Sequence, residues 1–175
     1  MPGTVKYLGE MSFISCDHLD SLFMEEGLKV VDDRCFTACR SLRSLIIPNS
    51  LTYLGKGAFM SCDSLKNLVI GNSLERLKIS TFQDCESLKQ AEVPNSVVVM
   101  ESAVFKGCDS LEVLKIGLSI DSLGGNSFSY CTSLHSIILC APEPPVLGCY
   151  SFIGTSENLT RDIQKLLIKR QQIDC

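Results

Sequence analysis

The chain contains no tryptophan, only two histidines, and no apolar run approaching the roughly 18 residues that a membrane-spanning helix requires. It has no surplus of basic charge either, with 16 Lys and Arg against 20 Asp and Glu for a net charge of −4. Proteins that grip phosphate backbones usually carry a basic stripe; none is present, so neither a nucleic-acid partner nor membrane insertion is expected. Also missing are a Walker loop, G-x-G-x-x-G, G-x-S-x-G, H-E-x-x-H and any C-x-x-C pair. Without them there is no phosphate cradle, nucleophile elbow or paired set of metal ligands to support the common catalytic motifs. The opening MPGTVKYLGEMSF lacks a basic stretch followed by an apolar one, so no secretion signal is expected within it.

What the chain does have is one phrase, F-x-x-C-x-S-L, written six times at a spacing of 23 residues. It begins at Phe13, Phe36, Phe59, Phe82, Phe105 and Phe128, with His18 replacing Ser in the first copy, and a weakened seventh copy begins at Phe152. A period in the twenties is the mark of a solenoid, because each unit is too small to bury a core alone and must lean on its neighbours. The hydrophobic fraction of 45% is therefore spread by the repeat into a long, thin core.

Two stretches flank the phrase. Before it lie VKYL, LKVV, LTYL, LERL, VVVM and IDSL, whose first and fourth residues are always aliphatic or Met. A turn follows, carrying Gly9, Gly55 and Gly124 in some units and Asp32, Lys78 and Glu101 in others. After the phrase come LDSLFM, LRSLII, LKNLVI, LKQAEV, LEVLKI and LHSIIL, and the alternation in their last three residues is that of a strand buried on one face. Stacked copies predict a parallel sheet of about six strands on one side, with short turns or single helical coils elsewhere. Pro48 and Pro94 close two of these strands, and Asn-Ser pairs at 49, 72 and 95 supply turn chemistry.

Six of the ten cysteines, Cys16, Cys39, Cys62, Cys85, Cys108 and Cys131, share one register. Neighbours in such a column lie about 4.8 Å apart, which is within disulfide reach, but their Cβ vectors point the same way rather than converging. The expected state is an unbridged structural ladder of small buried hydrophobes, with no metal or cofactor. Charges beside these cysteines, Asp17, Arg40, Asp63, Glu86 and Asp109, are expected to be solvated in a turn. Cys35 occupies a small buried position, Cys140 and Cys149 flank a proline-rich turn, and terminal Cys175 is the thiol most exposed to accidental dimerisation of an otherwise monomeric chain. The two histidines stand about five repeats apart, more than about 20 Å, too far to share a metal or a triad. No enzymatic function is expected.

Surface is what remains for function. In each second stretch, the residue between the last two buried positions faces outward, and that column reads Phe23, Ile46, Val69, Glu92, Lys115, Ile138. Four of the six are apolar, rimmed by Ser21, Ser44, Asn67, Gln90, Val113 and Ser136. An exposed apolar strip with a polar rim is a candidate protein-binding face. Alternatives are that β-branched residues simply favour strands, or that another part of a longer protein covers them.

Phrases such as IIPNSLTYLGKGAFMSCDSLKNLVI (Ile46 to Ile70), together with the Pro-Pro unit LCAPEPPVLGCYSF (Leu139 to Phe152), resemble the BspA-like leucine-rich repeat family over roughly residues 4 to 154. The resemblance implies a leucine-rich repeat solenoid, a right-handed, β-rich α/β superhelix, and commonly a secreted or surface-displayed protein. Its implied partner is a protein, with host or extracellular-matrix proteins as candidates. An intracellular interaction scaffold and a structural spacer are the alternatives. The chain enters in mid-repeat and is expected to be a piece of something longer. Residues 1–154 form the repeat domain of about six and a half units, and residues 155–175 a helical cap or tail. Within that tail Thr160 is an N-cap candidate, and a helix is expected over about 160 to 172. Asn158-Leu159-Thr160 is a glycosylation sequon relevant only to a eukaryotic secretory route.

Overall fold

The computed structural model describes residues 1–156 and Leu159. The predicted helix over 160–172, the sequon residues Asn158 and Thr160, and Cys175 lie outside the described residues. Each unit, 23 residues long except for 24 in the sixth, forms one coil of a solenoid, and we number the coils from residues 5–27 (coil 1) through 28–50, 51–73, 74–96 and 97–119 to 120–143 (coil 6), with a seventh begun at 144.

The second stretches stack as predicted. The strands β3 (Ser44–Ile46), β5 (Asn67–Val69), β7 (Gln90–Val93), β9 (Val113–Ile116) and β11 (Ser136–Leu139) all run parallel, and Leu22 extends the column by a bridge to Leu45. Their inward residues are the expected ones: Leu45, Ile47, Ala91, Val93, Leu114 and Ile116 are buried. The first stretches form a second parallel stack that periodicity did not reveal: β1 (Tyr7–Leu8), β2 (Val30–Val31), β4 (Tyr53–Leu54), β6 (Arg76–Leu77), β8 (Val99–Met100), β10 (Ser122–Leu123) and β12 (Val146–Leu147). Each strand is only two residues long, too short to show alternation, and its apolar residue turns inward.

The phrase itself takes the turn option, with no helical coil. In each coil two residues four apart adopt left-handed backbone, Met11 and Ser15 in the first, Arg34 and Ala38 in the second, Gly57 and Ser61 in the third, all with φ between 54° and 60°. Alternate amides of this arc donate to the next coil: Met11 to Asp33 O, Phe13 to Cys35 O and Ser15 to Thr37 O, at 2.8 to 3.1 Å. The left-handed residues, costing about 1–2 kcal/mol each where they are not glycine, aim these amides along the solenoid axis, where the hydrogen bonds offset the strain.

The core is a column of rings. Phe13, Phe36, Phe59, Phe82, Phe105, Phe128 and Phe152 stack with centroids 5.0 to 6.2 Å apart and planes within 22° of parallel. The five middle rings are completely buried. Aromatic pairs in this range gain about 0.5–1.5 kcal/mol beyond simple burial, which is why the phrase keeps Phe and not Leu at this position.

Candidate functional site

The cysteine column lies beside the rings. Cys39, Cys62, Cys85, Cys108 and Cys131 are fully buried, Cys16 is half-buried, and all six thiols are free. They are more than small hydrophobes. Each buried Sγ donates to the carbonyl of the Phe one coil back: Cys39 to Phe13, Cys62 to Phe36, Cys85 to Phe59, Cys108 to Phe82 and Cys131 to Phe105, at 3.0 to 3.5 Å. Alanine would leave both the volume of the sulfur and the carbonyl's donor missing. Burial pushes the Cys39 thiol up to about 11 and that of Cys85 up to about 12, and raises Cys62 and Cys108 as well. Thiols so held stay protonated at neutral pH and are poor nucleophiles. Cys35 is buried against the Ser12 hydroxyl at 3.4 Å, while Cys140 is free and half-buried and so is not bridged to Cys149.

The turn charges are solvated as expected, with Asp63 half-buried, and three of them are paired: Arg40 lies 3.4 Å from Asp17 and 3.5 Å from Asp63, joining three consecutive coils across the surface. Partial burial raises the Asp63 pKa although the Arg40 charge opposes the shift. Exposed pairs of this kind contribute little each, about 0–1 kcal/mol, so they trim the register without setting it. Among the described residues no group of three or more His, Cys, Asp and Glu is placed to hold a metal ion, and no helix is long and apolar enough to cross a membrane.

The outward column of the second-stretch sheet is exposed at every position. Phe23 is 69% exposed, Val69 56%, Ile46 51% and Ile138 50%. Register places Ile46 beside Val69, Glu92 beside Lys115, and Lys115 beside Ile138. The column is therefore not one continuous apolar strip. It divides into an apolar block, Phe23–Ile46–Val69, a charged step, and a single Ile. In the charged step Lys115 Nζ lies 2.7 Å from Glu92 Oε1, and the hydrogen bond to Glu92 raises the lysine pKa. The rim is polar and exposed through Ser21, Ser44, Asn67 and Gln90, then half-buried at Val113 and Ser136.

Other aromatics, exposed Tyr7, Tyr130 and Tyr150 and half-buried Tyr53, escaped sequence reasoning. Tyr7 on the first-stretch face donates to the Asp32 carboxylate, and that hydrogen bond holds the Asp32 pKa down. Tyr53, two coils on in the same register, accepts from Lys78 Nζ at 2.9 Å, and the ammonium sits 4.0 Å from its ring centroid. Tyr130 and Tyr150 project from the arc with left-handed backbone at φ 62° and 60°. Because the four tyrosines are spread over three registers, with only Tyr7 and Tyr53 sharing one, no repeated column announced them.

Solved structures share this architecture. A leucine-rich cell surface protein of Faecalibacterium prausnitzii superposes with a TM-score of 0.67 at 29% identity, covering 69% of this chain and 32% of that one. This chain thus spans about a third of that protein's length. A leucine-rich repeat protein of T. pallidum aligns with a TM-score of 0.59 at 20% identity, covering 84% of this chain and 83% of its own. The pneumococcal vaccine antigen PcpA gives 0.56 at 18% identity over 81% of this chain and 50% of that one. The latter two establish likeness of fold alone. None of the curated proteins matches the sequence. The family model described as the BspA type leucine rich repeat region matches in six copies over residues 1–108 and 55–164. With its 23-residue coils, its ring column and this match along most of its length, the chain belongs to the BspA-type leucine-rich repeat family.

Proposed function

We propose that the chain is a non-catalytic protein-binding module that works through the outward face of its second-stretch sheet, as part of a secreted or surface-displayed protein. The observation that carries this reading is the block Phe23, Ile46 and Val69, each more than half exposed and one strand spacing from the next. Solvated sheets favour Lys, Thr or Glu at such positions; three large apolar groups there cost solubility unless something covers them. The adjoining Glu92 and Lys115 give a polar flank that fixes orientation, as charged rims do at protein interfaces. The surface setting is supported by the F. prausnitzii relative, itself a cell surface protein. A host or matrix protein is the partner class that such a setting offers, bound by a monomeric module.

The test is capture from a panel of purified host and matrix proteins by wild-type chain and by the double variant Ile46→Glu, Val69→Glu. Both positions are exposed, so far-UV circular dichroism should not change, while binding should fall by at least about 100-fold if both sit in the interface core. Equal capture by the two proteins would remove this face from consideration and favour the spacer reading.

A further inference from the structure

The two strand ladders fail together at one junction. In the first-stretch sheet Thr52 N donates to Lys29 O and Val98 N to Glu75 O, at 3.0 and 2.8 Å. Between coils 3 and 4 the equivalent amide, Glu75, donates to no backbone oxygen of coil 3, and β4 and β6 do not pair with each other. In the second-stretch sheet Lys66 donates to Arg43 O and Glu112 to Lys89 O, yet the Lys89 amide donates to no backbone oxygen of coil 3 and β5 and β7, though adjacent, do not pair. The turn ladder stops at the same place. Asn49 Oδ1 accepts from the Asn72 amide and Asn95 Oδ1 from the Leu118 amide, both at 2.9 Å, with no such bond from Asn72 to Asn95 among the described residues. The arc side of the coil runs on unbroken: Gly57 to Ile79 O, Phe59 to Thr81 O and Ser61 to Gln83 O at 2.8 to 3.0 Å, with Ser87 N to Asp63 O at 3.0 Å and Cys85 Sγ to Phe59 O at 3.4 Å beside them.

The sequence supplies a cause on each side. The inward column of the second-stretch sheet reads Leu22, Leu45, Leu68, Ala91, Leu114, Ile137. At Ala91 a methyl stands where its neighbours carry four-carbon side chains, so Leu68 loses its packing partner and is only partly buried, whereas Leu45 and Leu114 are fully buried. A step that cannot fill its core closes poorly or tilts. On the first-stretch side Lys78 crosses the junction to Tyr53, and a groove lined by Thr52, Tyr53, Glu75, Arg76 and Lys78 opens beside it.

We propose that the solenoid is jointed between coils 3 and 4. Coils 1–3 and 4–6 are two rigid blocks that bend about the continuous arc, and the Lys78–Tyr53 contact is the clasp that holds them closed. The joint crosses the outward face between Val69 and Glu92, so bending changes the angle between the apolar block and the charged step. The inference stands on hydrogen bonding and packing alone and does not depend on the binding reading.

Amide hydrogen exchange and pulsed spin-label distance measurements on the whole chain test it, comparing wild type with Lys78→Met, which removes the clasp, and Ala91→Leu, which fills the gap. The amides of Glu75, Lys78 and Lys89 should exchange at least about 100-fold faster than their register equivalents Val98, Glu101 and Glu112. Labels attached through non-natural residues at exposed Lys6 and Asp121, in coils 1 and 6, should give a distance distribution broader in Lys78→Met than in wild type and narrower in Ala91→Leu. Equal protection of the two amide sets, or one width for wild type and Lys78→Met, overturns the joint. Should Ala91→Leu overpack and fail to fold, the wild-type and Lys78→Met comparison decides alone.

Discussion

Raising the pH should unfold this protein more steeply than its composition suggests, and the cysteine column is the reason. An unfolded thiol ionises near pH 8.5, whereas burial raises Cys39 to about 11, Cys85 to about 12, and Cys62 and Cys108 as well. Below the unfolded value both states hold their protons, and the column's contribution is intact. Above it the unfolded chain releases protons that the folded chain keeps, so stability falls until the folded thiols themselves titrate. One such thiol removes about 1.4 kcal/mol per pH unit, and four together about 5 kcal/mol per unit between roughly pH 9.5 and 10.5. A domain stabilised by about 5–15 kcal/mol would lose its fold within one to three units. Urea titrations followed by far-UV circular dichroism from pH 7.5 to 10.5, with reductant present, measure the slope. Cys85→Ser supplies the control. Its hydroxyl can still donate to Phe59 O and does not titrate in this range, so the slope should fall by about a quarter. Lysine and tyrosine titration is common to both proteins and cancels in the difference. Parallel slopes for wild type and Cys85→Ser would show that the column does not hold its protons as argued.

Phe59→Ala should cost about 3–5 kcal/mol, read as a fall in the urea midpoint at unchanged m-value, because Phe59 is fully buried between two rings; Phe13→Ala should cost less, since Phe13 is only partly buried. Under native conditions iodoacetamide should label half-buried Cys140 well before Cys62 or Cys85, and mass spectrometry showing equal rates would contradict their burial. Gly117→Ala should destabilise more than Gly57→Ala. A Cβ at 117 would lie 2.7 Å from Pro94 C and Asn95 N, whereas at 57 the nearest atom is 3.6 Å away and only the left-handed backbone, about 1 kcal/mol, is penalised.

The parts of this fold that were legible in the sequence are those where every coil repeats the same residue for the same reason. Phe, Cys and the aliphatic positions recur because each meets its own copy one coil away, so the period exposes the core and the second-stretch sheet together. The arc was not legible, because its left-handed positions carry Met11, Arg34, Gly57, Ser80, Ala103 and Asn126, with no glycine signature to mark them. There the constraint comes from hydrogen bonds to the next coil, to which side-chain identity is indifferent. The thiol donors were hidden for a related reason: spacing shows that Cys39 is inward but not that its Sγ reaches back to Phe13 O. In the outward column the exposed residues were identifiable from the strand pattern, while the pairing of Glu92 with Lys115 depended on register. The junction between coils 3 and 4 was written only as one Ala in a column of larger side chains, a signal that becomes readable once the column's packing is known.

The thiol-to-carbonyl bonds give each coil a matched pair of fittings. The Cys85 thiol serves the coil before it, and the Phe82 carbonyl is served by Cys108 in the coil after. Any whole coil thus offers the same sockets at its two faces, whatever its outward residues. Duplicating or deleting one complete repeat keeps these thiol bonds in register and, where the inward residues match, shifts only the sequence of outward residues. A gene built this way can lengthen, shorten or shuffle its exposed face in single steps, without waiting for compensating changes in the core.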